Sequence, residues 1–246
     1  MKYNKENLLV ISSFAKDKIT YRKSGETLEK IGGPAFWISR TLKDIGMKFD
    51  IITGKRDAEI EITVNKNGES GIIRSVSEII PEAEINADFI IISTIADEFK
   101  LETISNNFKG EIALDLQGYI RASKLNNKEF ILPKNIGKKI KIIKLTEEEL
   151  DFLKSKFIDS YPDIIFIITK GKFGADIIKN GSSFHYCAPK IKFIDTLGAG
   201  DVFLAAFTAQ IIKCNDIPKS GNYANNYVSQ FLKKNKSIEE HEQYNQ

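Results

Sequence analysis

The residues best suited to chemistry in this chain are two glycines and an aspartate near residue 200. Gly198 and Gly200 stand just before Asp201, and an apolar segment suited to a helix follows at 202–207. A glycine turn that opens a helix leaves backbone N–H groups free to bind an anion, phosphate above all. Asp201 would repel that phosphate, but it could take a proton from a hydroxyl that attacks the phosphorus. The spacing therefore predicts phosphoryl transfer, although an aspartate in the first turn also suits a plain strand–turn–helix connection.

Four further segments could line a ligand, and each also has a purely structural interpretation. Thr169–Gly174 follows an apolar strand, so its glycines would admit a ligand close to the backbone or form a simple turn. Thr146 and Glu149 match a capping box, and Glu149 could also help to hold hydrated magnesium near phosphates. Gly32-Gly33-Pro34 precedes a helix and suits close approach by a substrate hydroxyl or by another chain segment. Asp115–Arg121 places polar side chains after a strand, as a binding site or as a surface loop.

Composition and charge argue against several classes of protein. The 246 residues carry a net charge of +3 with scattered lysines, so a nucleic-acid-binding surface is not expected. The densest basic group is interpreted as a solvated rim; it comprises Lys138, Lys139, Lys141 and Lys144. The two cysteines suit a reduced cytoplasmic protein, and no apolar stretch approaches the roughly 20 residues that span a bilayer. We therefore expect a cytoplasmic protein with no membrane segment.

Short apolar runs alternate with helical patterns, and this alternation predicts the elements that position the motifs. Strands are expected at 8–11, 49–53, 89–93, 112–114, 140–145 and 164–169, and helices at 34–45, 97–108, 146–157, 200–213 and 221–234. Two hairpins are expected, at 59–75 around Asn67-Gly68 and at 175–187. The pattern predicts a doubly wound, mostly parallel α/β sheet, in which ligands bind beyond the carboxyl ends of the strands.

Taken together, these motifs resemble the ribokinase/PfkB family of carbohydrate and nucleoside kinases. Residues 195–201, Asp-Thr-Leu-Gly-Ala-Gly-Asp, match the family's C-terminal signature at every fixed position. Upstream, Gly32-Gly33 resembles its N-terminal signature, 12–19 with Asp17 its first substrate loop, Thr146-x-x-Glu149 its Asn-x-x-Glu, and 169–174 its nucleotide loop. Trp37 stands where the family usually has asparagine, and Thr146 replaces another asparagine. The chain is also short, with the hairpin 59–75 in place of a larger lid.

The resemblance implies a ribokinase-like fold, with residues 1–246 as one domain and 59–75 as a minimal β lid. It implies that Asp201 is the base and that the N–H groups of Gly198, Ala199 and Gly200 form the anion hole. The implied ATP site comprises Thr169, Lys170, Gly171, Gly174 and Thr196. The implied acceptor site comprises Asp17, Gly32, Gly33, Trp37 and Arg121. Glu149 would act on Mg²⁺ through water.

The function implied by the resemblance is an ATP- and Mg²⁺-dependent kinase that phosphorylates a hydroxyl of a sugar or polyol, as a monomer or homodimer. A nucleoside kinase of the same family is the alternative among enzymes, because Trp37 could stack on a sugar ring or on a base. A non-catalytic relative that binds a nucleotide or sugar and regulates a partner is the alternative outside enzymes. The complete C-terminal signature favours an enzyme, since decayed relatives tend to lose the base first.

Overall fold

The computed structural model describes residues 7–65, 68–153, 156–188 and 196–244, with the side chains of 68–69 and 235–244 left out of the description. Its strands are β1 (Leu8–Ser12), β2 (Ala15–Tyr21), β3 (Thr27–Gly32), β4 (Asp50–Ile52), β5 (Ala58–Asn65), β6 (Gly68–Ser75), β7 (Phe89–Ser93), β8 (Glu111–Asp115), β9 (Ile140–Thr146), β10 (Ile165–Thr169), β11 (Ala175–Lys179) and β12 (Ser182–Tyr186). Its helices are α1 (Gly33–Asp44), α2 (Gln117–Leu125), α3 (Lys134–Gly137), α4 (Glu147–Phe152), α5 (Ala199–Cys214) and α6 (Ile217–Tyr244).

The larger of two sheets has eight strands in the order β12-β11-β10-β9-β8-β7-β1-β4. The strands from β10 to β4 are parallel, whereas β11 and β12 run antiparallel at one edge. Every residue of β1 and β7 is buried, as expected for apolar parallel strands that are covered on both faces. The predicted mostly parallel α/β fold is therefore confirmed. The carboxyl ends of six parallel strands meet at one edge, where such sheets bind ligands.

Helices on the two faces of this sheet bury two apolar cores. One core includes Phe99, Ile104 and Tyr119, and the other includes Leu42 and Phe207. Helix α5 lies in the second core and is buried continuously from residue 202 to 209. Because the helix is packed along its length, the position of its first turn is fixed by the core. No helix in the described part of the chain is long and apolar enough to cross a membrane.

A second sheet of four strands, β3-β2-β5-β6, forms what we call the lid sheet. The sequence analysis assigned only the hairpin 59–75 to the lid, and its turn residue Asn67 lies outside the described residues. Strands β2 and β3 add a second antiparallel pair, and β2 runs parallel to β5. Along β2, buried and exposed residues alternate from Ala15 to Ile19, which is the period of a strand. Asp17 therefore lies on a strand rather than in the loop that the resemblance implied.

Three other segments differ from the predicted elements. Residues 97–108 contain a 3-10 turn at Leu101–Thr103 in place of the expected helix. The Glu98 carboxylate accepts hydrogen bonds from the N–H groups of Ile95 and Ala96 at 2.8 and 2.7 Å, which offers the backbone an alternative to a helix. Conversely, α2 forms where a surface loop or binding segment was expected. Helix α4 is shorter than the predicted 146–157 and ends at Phe152.

Candidate active site

Polar side chains at the carboxyl ends of three neighbouring strands meet the first turn of α5. Ser93 ends β7, Asp115 ends β8, and Lys144 lies two residues before the end of β9. Because these strands are parallel and adjacent, the three side chains reach the same edge of the sheet. Asp201 in the first turn of α5 completes a group that we call the carboxylate network: Ser93, Asp115, Lys144 and Asp201.

The carboxylate network combines a buried ion pair with a bridging hydroxyl. Lys144 Nζ lies 2.9 Å from Asp115 Oδ2, and the two side chains are 3% and 0% exposed. Ser93 Oγ lies 3.3 Å from Asp115 Oδ2 and 3.2 Å from Asp201 Oδ1. A serine hydroxyl has a single hydrogen, so it donates to one of these carboxylates at a time. The two aspartates are thus linked through Ser93, with one ammonium group beside them.

The environment of Asp201 brings its protonation equilibrium close to neutral pH. Burial raises the pKa of Asp201 to about 7; the Lys144 ammonium opposes this rise, and the Asp115 carboxylate adds to it. The Ser93 hydroxyl and Arg121 also favour the ionised form. Burial opposes the charge on Lys144, but the carboxylates of Asp115, Asp201 and Glu149 outweigh it, so the pKa of Lys144 is raised. A carboxylate whose pKa lies near the working pH is suited to act as a general base.

The turn before α5 has the geometry expected of an anion-binding helix start. Gly198 is the N-cap residue in a left-handed conformation, with φ 78°, and a methyl group there would overlap the Trp37 indole. Ala199 donates its N–H to the Thr196 carbonyl at 3.1 Å, so that donor is engaged within the turn. We therefore expect the N–H groups of Gly198 and Gly200 to contribute most to anion binding. Asp195, the first residue of the signature, lies outside the described residues.

Trp37 packs against this turn. Its indole contacts the rings of Phe36 and Phe231 edge to face, with centroids 4.8 and 5.4 Å away. The indole also lies against Gly198, where only a residue without a side chain fits. The structure thus gives Trp37 a packing role beside the anion-binding turn, and its contact with an acceptor stays a prediction.

The two glycines at the start of α1 make room for other parts of the chain. A methyl group at Gly32 would overlap the Asp17 carboxylate, and one at Gly33, whose φ is 79°, would meet the backbone of Ser13 and Ala15. The structure shows close approach by another chain segment at both glycines, and Gly33 also lines the cleft described below, so its contact with a substrate hydroxyl stays a prediction. The pair of glycines also lets the carboxylate of Asp17 reach the inside of the molecule.

Asp17 is a buried acid whose two carboxylate oxygens differ in their surroundings. The residue is 7% exposed, and Oδ1 has no hydrogen-bond partner among the described residues. Burial raises the pKa of Asp17 to about 6. A buried carboxylate oxygen without a donor is unfavourable unless a ligand supplies one.

Residues predicted for the nucleotide lie at the end of β10, next to other protein groups. The Thr169 hydroxyl donates to the Leu145 carbonyl at 3.4 Å. Lys170 Nζ pairs with Asp176 at 2.8 Å and with Glu147 at 3.3 Å, so its charge is balanced by protein carboxylates. Gly171 and Gly174 both have positive φ angles, 54° and 99°, which explains why the loop uses glycine at those positions.

The predicted capping box at the start of α4 is confirmed. The Thr146 N–H donates to Glu149 Oε2 at 2.8 Å, and the Glu149 N–H donates to Thr146 Oγ1 at 3.2 Å. Burial raises the pKa of Glu149, and the nearby Lys144 ammonium partly opposes that rise. The cap therefore fixes Glu149 close to the carboxylate network.

A cleft of about 1080 Å³ brings the two sheets and both predicted sites together. Asp17, Ile60 and Ile73 line it from the lid sheet, and Arg121 lines it from α2. Its floor includes Thr169 and the turn from Thr196 to Asp201, while Asn225 and Val228 of α6 close one end. A groove of about 1290 Å³ beside α1 and α6 shares only Trp37 with this cleft and contains no residue of the carboxylate network. The cleft is thus the candidate active site.

Sequence reasoning missed Ser93 and misjudged Lys144. Lys144 was grouped with a solvated rim, which is wrong, because its side chain is 3% exposed. Lys141 does lie at the surface, where it pairs with Glu111 at 2.7 Å. The available signal was a lysine between the apolar residues Ile143 and Leu145 in a strand that was already predicted to be buried. A charge in such a strand needs a partner, and the partner is Asp115 on the next strand.

Comparison with known proteins identifies what the chain is similar to. The sequence pattern of the "pfkB family carbohydrate kinase" matches residues 43–242. The chain is 27% identical over 154 residues to a Pyrococcus horikoshii protein named "Putative sugar kinase PH1459", an alignment that covers 60% of this chain and 50% of that protein. The chain thus spans about half the length of this curated relative.

Solved structures share the fold at low sequence identity. The nucleoside kinase of Methanocaldococcus jannaschii, an archaeal member of the ribokinase family, superposes with a TM-score of 0.64 at 16% identity, over 93% of this chain and 92% of that one. A pyrophosphate-dependent kinase in the ribokinase family, in complex with a pyrophosphate analog and myo-inositol, superposes with a TM-score of 0.68 at 17% identity, over 92% and 95%.

Proposed function

The chain belongs to the pfkB family of carbohydrate kinases, and on that premise we propose that it transfers the γ-phosphoryl group of ATP to a hydroxyl of a sugar or polyol. The observation that carries this proposal is the position of Asp201. It stands in the first turn of a buried helix, beside an anion-binding turn, with its pKa raised to about 7 by burial. It opens onto the same cleft as Asp17, whose Oδ1 has no hydrogen-bond partner in the described part of the chain. A base, an anion site and an acceptor site are what such a transfer requires.

In the proposed reaction Asp201 accepts the proton of the acceptor hydroxyl. The freed electron pair of that oxygen forms a bond to the γ-phosphorus as the bond from phosphorus to the bridging oxygen breaks, so ADP leaves with the second electron pair. The N–H groups of Gly198 and Gly200, at the N-terminus of α5, stabilise the charge on the phosphoryl oxygens. Ala199 contributes less, because its N–H is engaged with Thr196.

We propose that Glu149 holds magnesium through water. Mg²⁺ is usually bound by one or two carboxylates together with substrate phosphates and waters, and when bound it neutralises phosphate charge. Glu149 fits this description, since it is a largely buried carboxylate fixed by a cap near the network. No group of three metal-binding side chains is found among the residues that the structure describes, so the protein alone offers no metal cage there.

The acceptor would bind between the lid sheet and the carboxylate network. Asp17 would accept a hydrogen bond from an acceptor hydroxyl, which would satisfy the buried Oδ1. Gly32 makes room for that carboxylate, and Gly33 allows the approach of β2, so both act on the acceptor indirectly. Arg121 lines the cleft while its Nη1 donates to the Ile95 carbonyl at 2.5 Å, which fixes the guanidinium close to the acceptor. Trp37 would border this space.

The nucleotide would lie along the other half of the cleft. Thr169, Gly171, Gly174 and Thr196 border that half, and Lys170 lies next to it in ion pairs with protein carboxylates. We further propose that the chain works as one domain, as a monomer or homodimer, in which closure of the lid sheet excludes water from the transfer. One similar solved structure is that of a pyrophosphate-dependent kinase, so the experiment compares ATP with pyrophosphate as the phosphoryl donor.

The test measures phosphorylated product with ATP or pyrophosphate as donor across a panel of pentoses, hexoses, inositols and nucleosides, with magnesium present. Asp201→Asn is the control that separates this activity from a contaminating kinase. A single sugar or polyol that is phosphorylated with ATP in an Asp201-dependent way supports the proposal. Turnover of nucleosides alone would replace it with a nucleoside kinase. Binding of ATP without turnover of any acceptor would favour a regulatory relative.

A further inference from the structure

Lys144 is placed where its charge acts on the catalytic turn without reaching the solvent. A methyl group on Gly200 would lie 3.0 Å from Lys144 Nζ, so the ammonium sits directly against the first turn of α5. The side chain is only 3% exposed, and Nζ is 2.9 Å from Asp115 Oδ2. Lys144 is among the residues that line the cleft, but its ammonium group is engaged with Asp115, and the N-terminal turn and Asp201 line the cleft beside it.

This position is electrostatically unfavourable for a lysine unless carboxylates compensate it. The N-terminus of a helix carries a partial positive charge, which repels an ammonium group. A buried ammonium also loses its hydration, at a cost of several kcal/mol. Two acids offset both effects, Asp115 in direct contact and Asp201 in the turn above. A smaller apolar residue would fill this site at a lower free-energy cost than a buried ammonium group. The presence of a lysine here therefore indicates that its charge has a function.

We propose that Lys144 is a positioning residue for phosphoryl transfer: it balances the charge of Asp115 and favours the ionised form of Asp201, while Ser93 holds the Asp201 carboxylate in place. This inference rests on the proposed function for its purpose, but its electrostatic content is independent of any substrate. In this proposal Lys144 acts through Asp201 and not on the reacting atoms.

The charges around Asp201 come from three elements and act in opposite directions. Lys144 on β9 and Arg121 on α2 favour the ionised carboxylate, whereas Asp115 on β8 favours the protonated acid. The Glu149 carboxylate on α4 favours the charged form of Lys144. Without Lys144, Asp115 would stand unopposed next to Asp201, and Ser93 would link two acids that compete for one proton. A protonated Asp201 cannot accept the acceptor's proton.

The experiment measures the protonation midpoint of Asp201 in four proteins: wild type, Lys144→Met, Asp115→Asn and the double variant. The midpoint is read by carbon-13 NMR of labelled aspartate carboxyl groups without ligands, with Asp201→Asn to assign the signal. It is read again from the acid limb of kcat/KM against pH. Lys141→Met is the matched control, because it removes a lysine of the same strand that pairs with an exposed acid.

We expect Lys144→Met to raise the midpoint by about one pH unit or more, and Asp115→Asn to lower it. In the double variant the two effects oppose each other, so the midpoint returns toward that of wild type. At pH 7 the shift in Lys144→Met corresponds to roughly a fivefold or greater loss of kcat/KM, which recovers at higher pH. Lys141→Met should leave the midpoint unchanged.

Lys144→Met leaves Asp115 buried without its partner, so this variant could unfold. The comparison of Asp115→Asn with the double variant then isolates the same lysine, because neither protein contains an unpaired Asp115. Midpoints that agree within measurement error in both comparisons overturn the inference. If no acceptor is phosphorylated but the NMR midpoints shift as expected, the electrostatic role stands and the proposed function fails. If an acceptor is phosphorylated but the midpoint of Asp201 does not shift in either comparison, the proposed function stands and the electrostatic role of Lys144 fails.

Discussion

The buried acids on the two sides of the cleft differ in the partners that the protein gives them. On the side of the large sheet, Asp115 is paired with Lys144, and Asp201 accepts a hydrogen bond from Ser93. On the side of the lid sheet, Asp17 is almost as buried but has an oxygen without a partner among the described residues. The proposed base is thus held by other protein groups, whereas we propose that a ligand completes the acceptor side. This division suits a kinase in which phosphoryl chemistry is common to relatives and the acceptor differs.

The largest effect that we predict comes from the side of the large sheet, which carries Asp115 and Asp201 and which we call the organised side. Asp201→Asn keeps the shape of the side chain but cannot accept a proton, so kcat should fall by about 10³-fold or more. The measurement is the initial rate of product formation at saturating acceptor and donor. Circular dichroism of the variant should match that of wild type.

Asp163→Asn is the control, because this exposed acid stands before the amino end of β10, at the opposite end of that strand from the cleft. Its rate should equal that of wild type. Residual activity of Asp201→Asn near the wild-type level would remove Asp201 from its proposed role and leave the organised side without a base.

The next effect comes from the acceptor side. Asp17→Ala removes the carboxylate that we propose binds an acceptor hydroxyl, and a hydrogen bond to a charged group is worth roughly 1.5–3 kcal/mol. The acceptor KM should therefore rise about 10- to 100-fold, while kcat and the donor KM change much less. Glu59→Ala on the neighbouring strand β5 is the control, since Glu59 is exposed. A fall in kcat with an unchanged acceptor KM would place Asp17 in the organised side and break the comparison.

A third prediction concerns the free energy of unfolding that is lost when the buried carboxyl group of Asp201 ionises. Burial raises the folded-state pKa of Asp201 from 3.8 to about 7, so the native protein binds more protons than the unfolded chain between these pH values. Stability conferred by the protonated form is then lost as the pH rises from about 4 to about 7. Asp201→Asn does not titrate, so it should be more stable than wild type at pH 8 by on the order of 1–3 kcal/mol.

Urea unfolding at pH 4.5 and pH 8 measures this difference. The gap between variant and wild type should be small at the lower pH and largest at the higher pH. A gap that is equal at both would mean that the ionised carboxylate of Asp201 is fully compensated by its neighbours.

The smallest effect is expected on the outside of the lid sheet. Arg74 and Glu61 form an ion pair whose side chains are 52% and 42% exposed, in contrast to the buried pair of Lys144 and Asp115. Exposed pairs contribute little, so Arg74→Met should leave the free energy of unfolding almost unchanged. Removing Asp115 alone should cost several kcal/mol, because it leaves a buried lysine without its contact partner. Equal losses in the two variants would contradict the division between paired interior and solvated surface.

Much of the organised side could be predicted from the sequence because its signals are local. The apolar runs identified the parallel strands, and α5 was predicted at 200–213 and forms at Ala199–Cys214. Gly198 lies in the predicted turn, since its positive φ is a property of a few neighbouring residues. The family and the mostly parallel fold followed from these short motifs and are confirmed.

The parts that sequence reasoning missed depend on residues far apart in the chain. Ser93 meets Asp201 across 108 positions, and Lys144 meets Asp115 across 29. No local pattern announces such pairs, although a lysine within an apolar strand hints that one exists. The expected helix at 97–108 was wrong for a related reason. The Glu98 side chain accepts a hydrogen bond from Ser13, 85 residues away, and this contact favours a tight turn over a helix.

The pairing of β1 has a consequence for synthesis of the protein. Strand β1 is entirely buried and pairs with β7, whose residues lie 81 positions later in the chain. At roughly 5–20 residues per second, a ribosome needs on the order of 4–16 s to produce this partner after β1 has been made. During that interval Leu8–Ser12 is an apolar strand with an open edge, which is a hazard for aggregation. Strand β4, which is made earlier, pairs with one edge of β1, so the other edge stays open until Phe89–Ser93 is available.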